Sequence, residues 1–248
     1  VTTTLLKGFF WAAFCSRPAE APRKLEYVKG TKTMADCKLA ASKLSSFGLA
    51  ARVVLEEKGV AYERIEINPT EQQSDQHLSN VHPFGKVPAL YHGDFHLYET
   101  AAIARYVDEA FDGPDLQPED VKKRGNMQKW INITGQYIYP SIIGDLVMQR
   151  LAPKIGAFGG VTDEDVVAAS VPVISHQLTL IDRALGESGD YLTGDFSLAD
   201  IMVATMVQYI GLTPESDALL GRQPRVAAWV QRVTSRPSFE AAAYDLGL

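Results

Sequence analysis

Residues 82–107, HPFGKVPALYHGDFHLYETAAIARYV, hold the side chains best suited to chemistry in this chain. Val87 and Pro88 lead into an apolar run, Gly93 and Asp94 form a tight turn, and Glu99 and Thr100 open a helical pattern. Proline cannot donate a ladder hydrogen bond, so Pro88 belongs at a sheet edge or a turn, and proline is the residue type that can hold a cis peptide bond. A cis bond there would turn the Val87 N–H and C=O out of the sheet and leave them free for the main chain of a ligand. Glu99 and Thr100 stand where a helix dipole begins. The N–H groups and the hydroxyl at that end can hold a carboxylate, while the Glu99 carboxylate can receive an amine. A ligand with a peptide backbone, an amino group and a carboxylate fits this edge. A second position is Ser45, flanked by Ser42 and Ser46 at the start of another helical pattern. On its own, a serine there is most often the N-cap.

The elements that must position these residues can be read from periodicity. CKLAA at 37–41 is a short buried strand, 42–46 a loop, and 47–58 a helix with Phe47, Leu49, Ala50, Val53 and Val54 in helical rhythm and Gly59 as its stop. Alternation over 62–67 gives a second strand. The polar stretch 68–82 holds a short helix, 87–91 and 95–98 pair as a hairpin, and 100–111 is a helix on the sheet. This compact β-α-β start, with no Gly-rich dinucleotide fingerprint, predicts a thioredoxin-like α/β domain. The segment 113–119, GPDLQPE, is the best linker in the chain. Beyond it, 119–150, 163–187, 198–211, 224–235 and 237–244 read as helices, so the second domain, 120–248, is all-α. Ser197 with Asp200 forms a capping box, with Phe196 against Ile201 as its staple, and Thr162 with Asp165 repeats the cap. Pro172 is expected to kink its helix.

The chain has 248 residues, is 46% hydrophobic and carries a net charge of −6. That is enough to bury two moderate cores, and it lacks the basic face of a general nucleic-acid binder. The first 33 residues hold six Lys/Arg against two Asp/Glu, or +4, which leaves −10 for the remainder. Residues 1–33 are expected to be a leader or extension outside the fold, with Met34 as a natural start; their apolar run is too short to span a bilayer. Cys15 and Cys37 show no CxxC or metal spacing and fit a reducing, cytoplasmic compartment. His92 and His96 straddle a hairpin, with His82 nearby, and the three are expected to bind no metal. There is no GxSxG elbow for a serine hydrolase.

PFGKVPAL followed by LYETAAIARYV resembles the glutathione-binding half of cytosolic glutathione transferases, closest to the phi-like branch and its bacterial relatives. The resemblance runs from Met34 to the C-terminus. It implies a thioredoxin-like domain over 34–112 that holds glutathione through Val87, Pro88, Glu99 and Thr100, and an all-helical domain that holds a small hydrophobic electrophile. It places Ser45 where the phi-type catalytic serine stands, with Ser46 and Ser42 in reserve. A free thiol titrates near about 8.5, and lowering that by about two units requires stabilising the thiolate by about 2.7 kcal/mol. A hydroxyl donor and a helix N-terminus can together supply this.

The chain departs from the family pattern at several positions. Gln73 and Ser74 stand where the loop that grips the glycine carboxylate usually carries His and Lys, and Lys86 stands where Gln is common and offers its charge to the same carboxylate. Lys43 replaces a frequent proline, and Ala101 a frequent arginine. The acceptor wall is expected from Trp130, Ile133 and Tyr137, with Ile138 and Tyr139 beside them. The resemblance also implies a homodimer without a metal. Two other readings of the same fold are a non-catalytic binding or regulatory module and a glutathione-dependent peroxidase. A cysteine-type relative would need Cys37 at the helix start, and it lies on the strand instead.

Overall fold

The computed structural model describes residues 36–155 and 160–244; the expected leader, 1–33, and Met34 lie outside them. Strand β1 (Cys37–Ala41) is followed by helix α1 (Ser46–Glu57), strand β2 (Glu63–Glu66), a 3-10 turn (Pro69–Glu71), α2 (Asp75–Asn80), the hairpin β3 (Ala89–His92) and β4 (Phe95–Tyr98), and α3 (Thr100–Ala110). The sheet order is β2-β1-β3-β4, with β1 parallel to β2 and antiparallel to β3. This is the mixed sheet of a thioredoxin-like layer. The period-2 alternation of a strand explains how β1 and β3 are covered on both faces. Cys37, Leu39 and Leu90 pack into the main core with α1 and α3, while Ala40 and Ala89 face a smaller cluster with Ile67, Val81 and Val87.

Helix α1 is buried almost all round because the sheet, α3 and two later helices pack against it. Gly59, at φ +65°, ends it as the sequence predicts. The buried Lys58 ammonium lies 3.2 Å from the Asp108 carboxylate and also donates to the Pro114 carbonyl. The same Asp108 oxygen accepts the Leu116 N–H at 2.9 Å. One ion pair thus ties the end of α1 and the last turns of α3 to the 113–119 segment.

The helical part begins with α4 (Val121–Ile133), capped by Asp120, which accepts the Lys122 and Lys123 N–H groups at 2.9 Å. The single helix expected over 119–150 is in fact three windings: α4, a wider i→i+5 stretch (Thr134–Val147) and α5 (Met148–Ile155). Pro140 inside the wide stretch has no N–H to continue the regular ladder. Beside it, the Tyr137 carbonyl accepts from the Ser141 hydroxyl at 2.9 Å and the Gln177 amide at 3.0 Å. Gln177 belongs to α6 (Glu164–Ser188), whose cap is Asp163, accepting from Asp165 and Val166, rather than the expected Thr162; the Thr162 hydroxyl donates to the Gln149 carbonyl. Pro172 lies inside α6, which runs through it as one helix.

Helix α7 (Leu198–Val207) is buried at all ten positions and continues as a 3-10 turn, Gln208–Leu212. Its predicted capping box is present, and buried Asp200 accepts from the Ser197 N–H, the Leu192 N–H and Trp229 Nε1. Phe196, read as its staple, lies against Tyr191 and the Arg236 guanidinium. The short α8 (Ser216–Leu219) was not anticipated; α9 (Pro224–Thr234) and α10 (Pro237–Ala242) follow, and α10 packs on α1. Among the described residues no helix is long and apolar enough to cross a membrane.

Candidate active site

A cleft of about 890 Å³ opens between the C-terminal end of β1, the Val87–Pro88 edge, the start of α3 and one face of the α4 stretch. Ser45, Lys86, Val87, Pro88, Glu99 and Thr100 all line it, so six of the seven residues assigned from the sequence to thiolate and glutathione converge there.

Ser45 sits in extended backbone one residue before α1, and its Oγ accepts the Gly48 N–H at 2.9 Å. It is therefore the N-cap. A hydroxyl that accepts one bond still has its own proton to donate, so capping and donation to a ligand sulfur are compatible. Of the reserve serines, Ser42 lines the same cleft, and its Oγ accepts the Leu44 N–H at 3.3 Å. Ser46 is buried away from it against Ile143, Val147 and Tyr209.

The Val87–Pro88 bond is cis, and the Val87 main-chain groups have no hydrogen-bond partner among the described residues. His77 Nε2 lies 2.8 Å from the Lys86 carbonyl and anchors this edge from beneath. Glu99 has φ +73° and is the one non-glycine residue with positive φ among those described. Such a conformation costs about 1–3 kcal/mol and concentrates at functional sites. The Glu99 side chain is 68% exposed and makes no cap, so the first-turn N–H groups of α3 and the Thr100 hydroxyl face the cleft uncapped.

Sequence reasoning missed His82. Its side chain is 2% exposed, Nδ1 accepts the Phe84 N–H at 3.2 Å, and Nε2 lies 3.8 Å from Glu99 Oε1. With Nδ1 accepting, the proton of the neutral ring sits on Nε2, facing the Glu99 carboxylate. Burial holds the His82 pKa below its ordinary value, against the opposing pull of Glu99. The signal is its place one residue before Pro83 and five before Val87. Those two are engaged elsewhere, His92 with the Tyr106 hydroxyl at 2.7 Å and His96 stacked on Tyr91 at 4.5 Å. No group of three or more His, Cys, Asp or Glu is placed to hold a metal among the described residues.

Four of the expected residues stand outside the cleft lining. Gln73 does not face the cleft. The 3-10 turn at Pro69–Glu71 shifts the phase of the loop so that Gln72 lines the cleft, while Gln73 tucks under Gly85 with Nε2 3.4 Å from its carbonyl. Trp130, Ile133 and Tyr137 do not line it either. Trp130 is core, Ile133 packs partly against the core, and Tyr137 is 60% exposed. The cleft face of this helix carries Asn132, Gly135, Gln136 and Tyr139, at i, i+3, i+4 and i+7, beside Ile131. The aromatic pattern pointed to the neighbouring faces. Tyr139 stacks on Phe47 at 4.7 Å, joining the helical wall to α1 two residues from Ser45. Burial pushes the Cys37 thiol up to about 11, so it remains a protonated core side chain.

A thioredoxin-like layer with a cis-proline edge and a serine-capped first helix, followed by an all-helical part, defines the glutathione-transferase architecture. The glutathione S-transferase N-terminal domain profile matches residues 42–109, and the C-terminal domain profile matches 164–232. Glutathione S-transferase F10 of Arabidopsis thaliana is 30% identical over 203 residues, covering 79% of this chain and 92% of its own length. Glutathione S-transferase 1 of Zea mays is 30% identical over 213 residues, covering 85% and 97%. Among solved structures, glutathione transferase F7 from Populus trichocarpa superposes with a TM-score of 0.74 at 26% identity, covering 83% of this chain and 97% of its own. A glutathione S-transferase-I bound with lactoylglutathione gives 0.73 at 30%, covering 84% and 98%. The chain belongs to the glutathione S-transferase family. These relatives, with others from rice and tobacco, are plant phi-class proteins, which overturns the expected placement in a bacterial branch.

Proposed function

We propose that the cleft binds glutathione at the thioredoxin-like edge and that Ser45 stabilises its thiolate for attack on a hydrophobic electrophile held against the α4 stretch. The chain is a glutathione transferase in this reading. The observation that carries it is the convergence of Ser45, Val87, Glu99 and Thr100 on one cleft. The Val87 N–H and C=O pair with the cysteinyl main chain of glutathione. Glu99 receives its α-amino group, and the Thr100 hydroxyl with the first turn of α3 receives the neighbouring carboxylate. Lys86, whose ammonium has no ion pair among the described residues, takes the glycine carboxylate. The thiol proton leaves to solvent, and the Ser45 O–H and the N-terminus of α1 hold the sulfur charge.

The thioredoxin-like domain ends before 113–119 in this reading, and the helical domain follows it. The large apolar side chains of Phe84 (71% exposed) and Phe95 support a homodimer. The free, buried Cys37 supports a reducing, cytoplasmic setting. The test is conjugation of glutathione to a chloronitrobenzene, wild type beside Ser45→Ala, with glutathione binding measured by calorimetry. Turnover that falls at least tenfold while binding persists is expected. Binding without turnover in the wild type would contradict the transferase reading, and equal turnover in both proteins would remove Ser45 from the mechanism.

A further inference from the structure

His82 lines the cleft beside Glu99 and is fixed on several sides. Its main-chain N–H donates to the His77 carbonyl at 3.0 Å, its carbonyl accepts the Gly85 N–H at 2.9 Å, and Nδ1 accepts the Phe84 N–H at 3.2 Å. The ring packs against Tyr98 with centroids 4.8 Å apart, and the side chain is 2% exposed. With Nδ1 engaged as an acceptor, the Nε2–H is a rigid donor facing Glu99 Oε1, 3.8 Å away. Glu99 is the opposite kind of group. It is the N-cap residue of α3 at φ +73° yet makes no side-chain cap, and its carboxylate is 68% exposed. A long exposed side chain loses rotamer freedom when it binds a ligand, and a fixed donor that already biases its position reduces that loss. A carboxylate has two oxygens, so Oε1 can accept from His82 while Oε2 meets an ammonium. The 3.8 Å separation is longer than a hydrogen bond, and contacts of this kind tighten in the ligand complex.

We propose that His82 is a positioning residue whose Nε2–H holds the Glu99 carboxylate in the orientation that receives the α-amino group of glutathione, so that His82 sets selectivity for thiols carrying that amine. The proposal rests on the glutathione reading of the cleft. It uses the neutral ring, and burial favours that form; His77, His96 and Lys86, the other titratable groups around the ring, act in the same direction, against the pull of Glu99. The incoming ammonium therefore meets an N–H dipole beside Glu99 rather than a second cation. The amine lies at the far end of the ligand from the sulfur and its charge does not change during thiolate attack. The contact is equally strong in ground and transition states, so its loss weakens binding and leaves kcat nearly unchanged.

The test replaces the imidazole half at a time. Asparagine sets an oxygen near the place of Nδ1, where it can accept the Phe84 N–H, and lacks the outer donor; glutamine reaches the place of Nε2 with an amide N–H. Wild type, His82→Asn and His82→Gln are compared by calorimetry on three thiols: glutathione, glutaryl-cysteinylglycine, which lacks the α-amino group, and 4-aminobutyryl-cysteinylglycine, which lacks the neighbouring carboxylate. A hydrogen bond to a partly exposed carboxylate shifts affinity by about three- to tenfold, so His82→Asn should raise the glutathione Kd by that factor, with kcat at saturating glutathione within about twofold. His82→Gln should recover part of the loss. The Asn penalty should persist on the aminobutyryl thiol and shrink to within about twofold on the glutaryl thiol, where Glu99 has no amine to receive. Equal penalties on all three thiols would show that His82 only supports its loop. A penalty kept on the glutaryl thiol and lost on the aminobutyryl thiol would put the Nε2–H on the ligand's carboxylate instead. Either result overturns the proposal, as would an unchanged glutathione Kd in His82→Asn. Wild-type protein that binds none of the three would instead overturn the glutathione reading, and this proposal with it.

Discussion

At the scale of single residues, Glu99 joins a strained backbone to the side chain proposed to bind. Its φ of +73° suits glycine better than an L side chain, yet the side chain held there is the carboxylate proposed to receive the glutathione amine. Glu99→Gly should therefore stabilise the fold, by about 1 kcal/mol in urea denaturation, while weakening glutathione binding severalfold in calorimetry. Stability and affinity falling together would mean that the backbone is relaxed at Glu99 and the strain argument is wrong. Gln73 and Lys86 separate in the same way. Gln73→Ala should leave the glutathione Kd within about twofold, because its amide is spent on Gly85, whereas Lys86→Ala should raise it a fewfold, as an exposed charge contact does. Ser45, Val87, Glu99 and Thr100 were legible from sequence because each depends on local chemistry: a cap, a proline and a helix start. Gln73 and His82 were not, because which side chain turns towards the cleft is decided by loop phase and burial, and residue type carries neither.

At the scale of elements, the Lys58–Asp108 pair joins α1, α3 and the following segment in a place where both side chains are almost fully buried. Removing one partner leaves a buried charge alone, so Asp108→Ala should destabilise the protein by about 3–5 kcal/mol, measured by urea unfolding. The double change Lys58→Met/Asp108→Leu should recover much of that; a single variant as stable as wild type would show that the pair carries no such weight. Strands and most helices were legible because their periodicity and caps are strong, as with Gly59 after α1 and Ser197 with Asp200 before α7. The widened winding at Thr134–Val147 was not. Pro140 is visible in the sequence, but the side chains that bond the Tyr137 carbonyl beside it, Ser141 and, from another helix, Gln177, come together only in the fold. The expected acceptor residues stand beside the cleft rather than on it. Trp130, Ile133 and Tyr137 are an obvious aromatic and apolar set, and the polar face carrying Asn132 and Gln136 is the one that lines the cleft.

At the scale of the whole molecule, the order of a thioredoxin-like layer followed by helices could be read along the chain, whereas the cleft could not, because it exists only where the two sets of elements meet. Acidification should act on this junction through His82. Its folded pKa lies below the ordinary value of about 6.5, so its contribution to stability is fully present above that pH and is lost as pH falls through the lower folded value. Urea midpoints for wild type and His82→Asn should converge as pH is lowered from about 7 to 5, with the wild type losing more. Parallel pH profiles would show that His82 does not titrate against the fold.

The central claim is that this cleft lowers the thiol pKa of bound glutathione through Ser45, and titration of the thiolate absorbance of bound glutathione tests it most directly. Wild type should show a pKa about two units below that of the free thiol, and Ser45→Ala should lose one unit or more of that shift. Ser45→Asp, which keeps an N-cap but sets a negative charge against the sulfur, should fold well and raise the pKa further. An unshifted thiol in the wild type, or the same shift in all three proteins, would contradict the account.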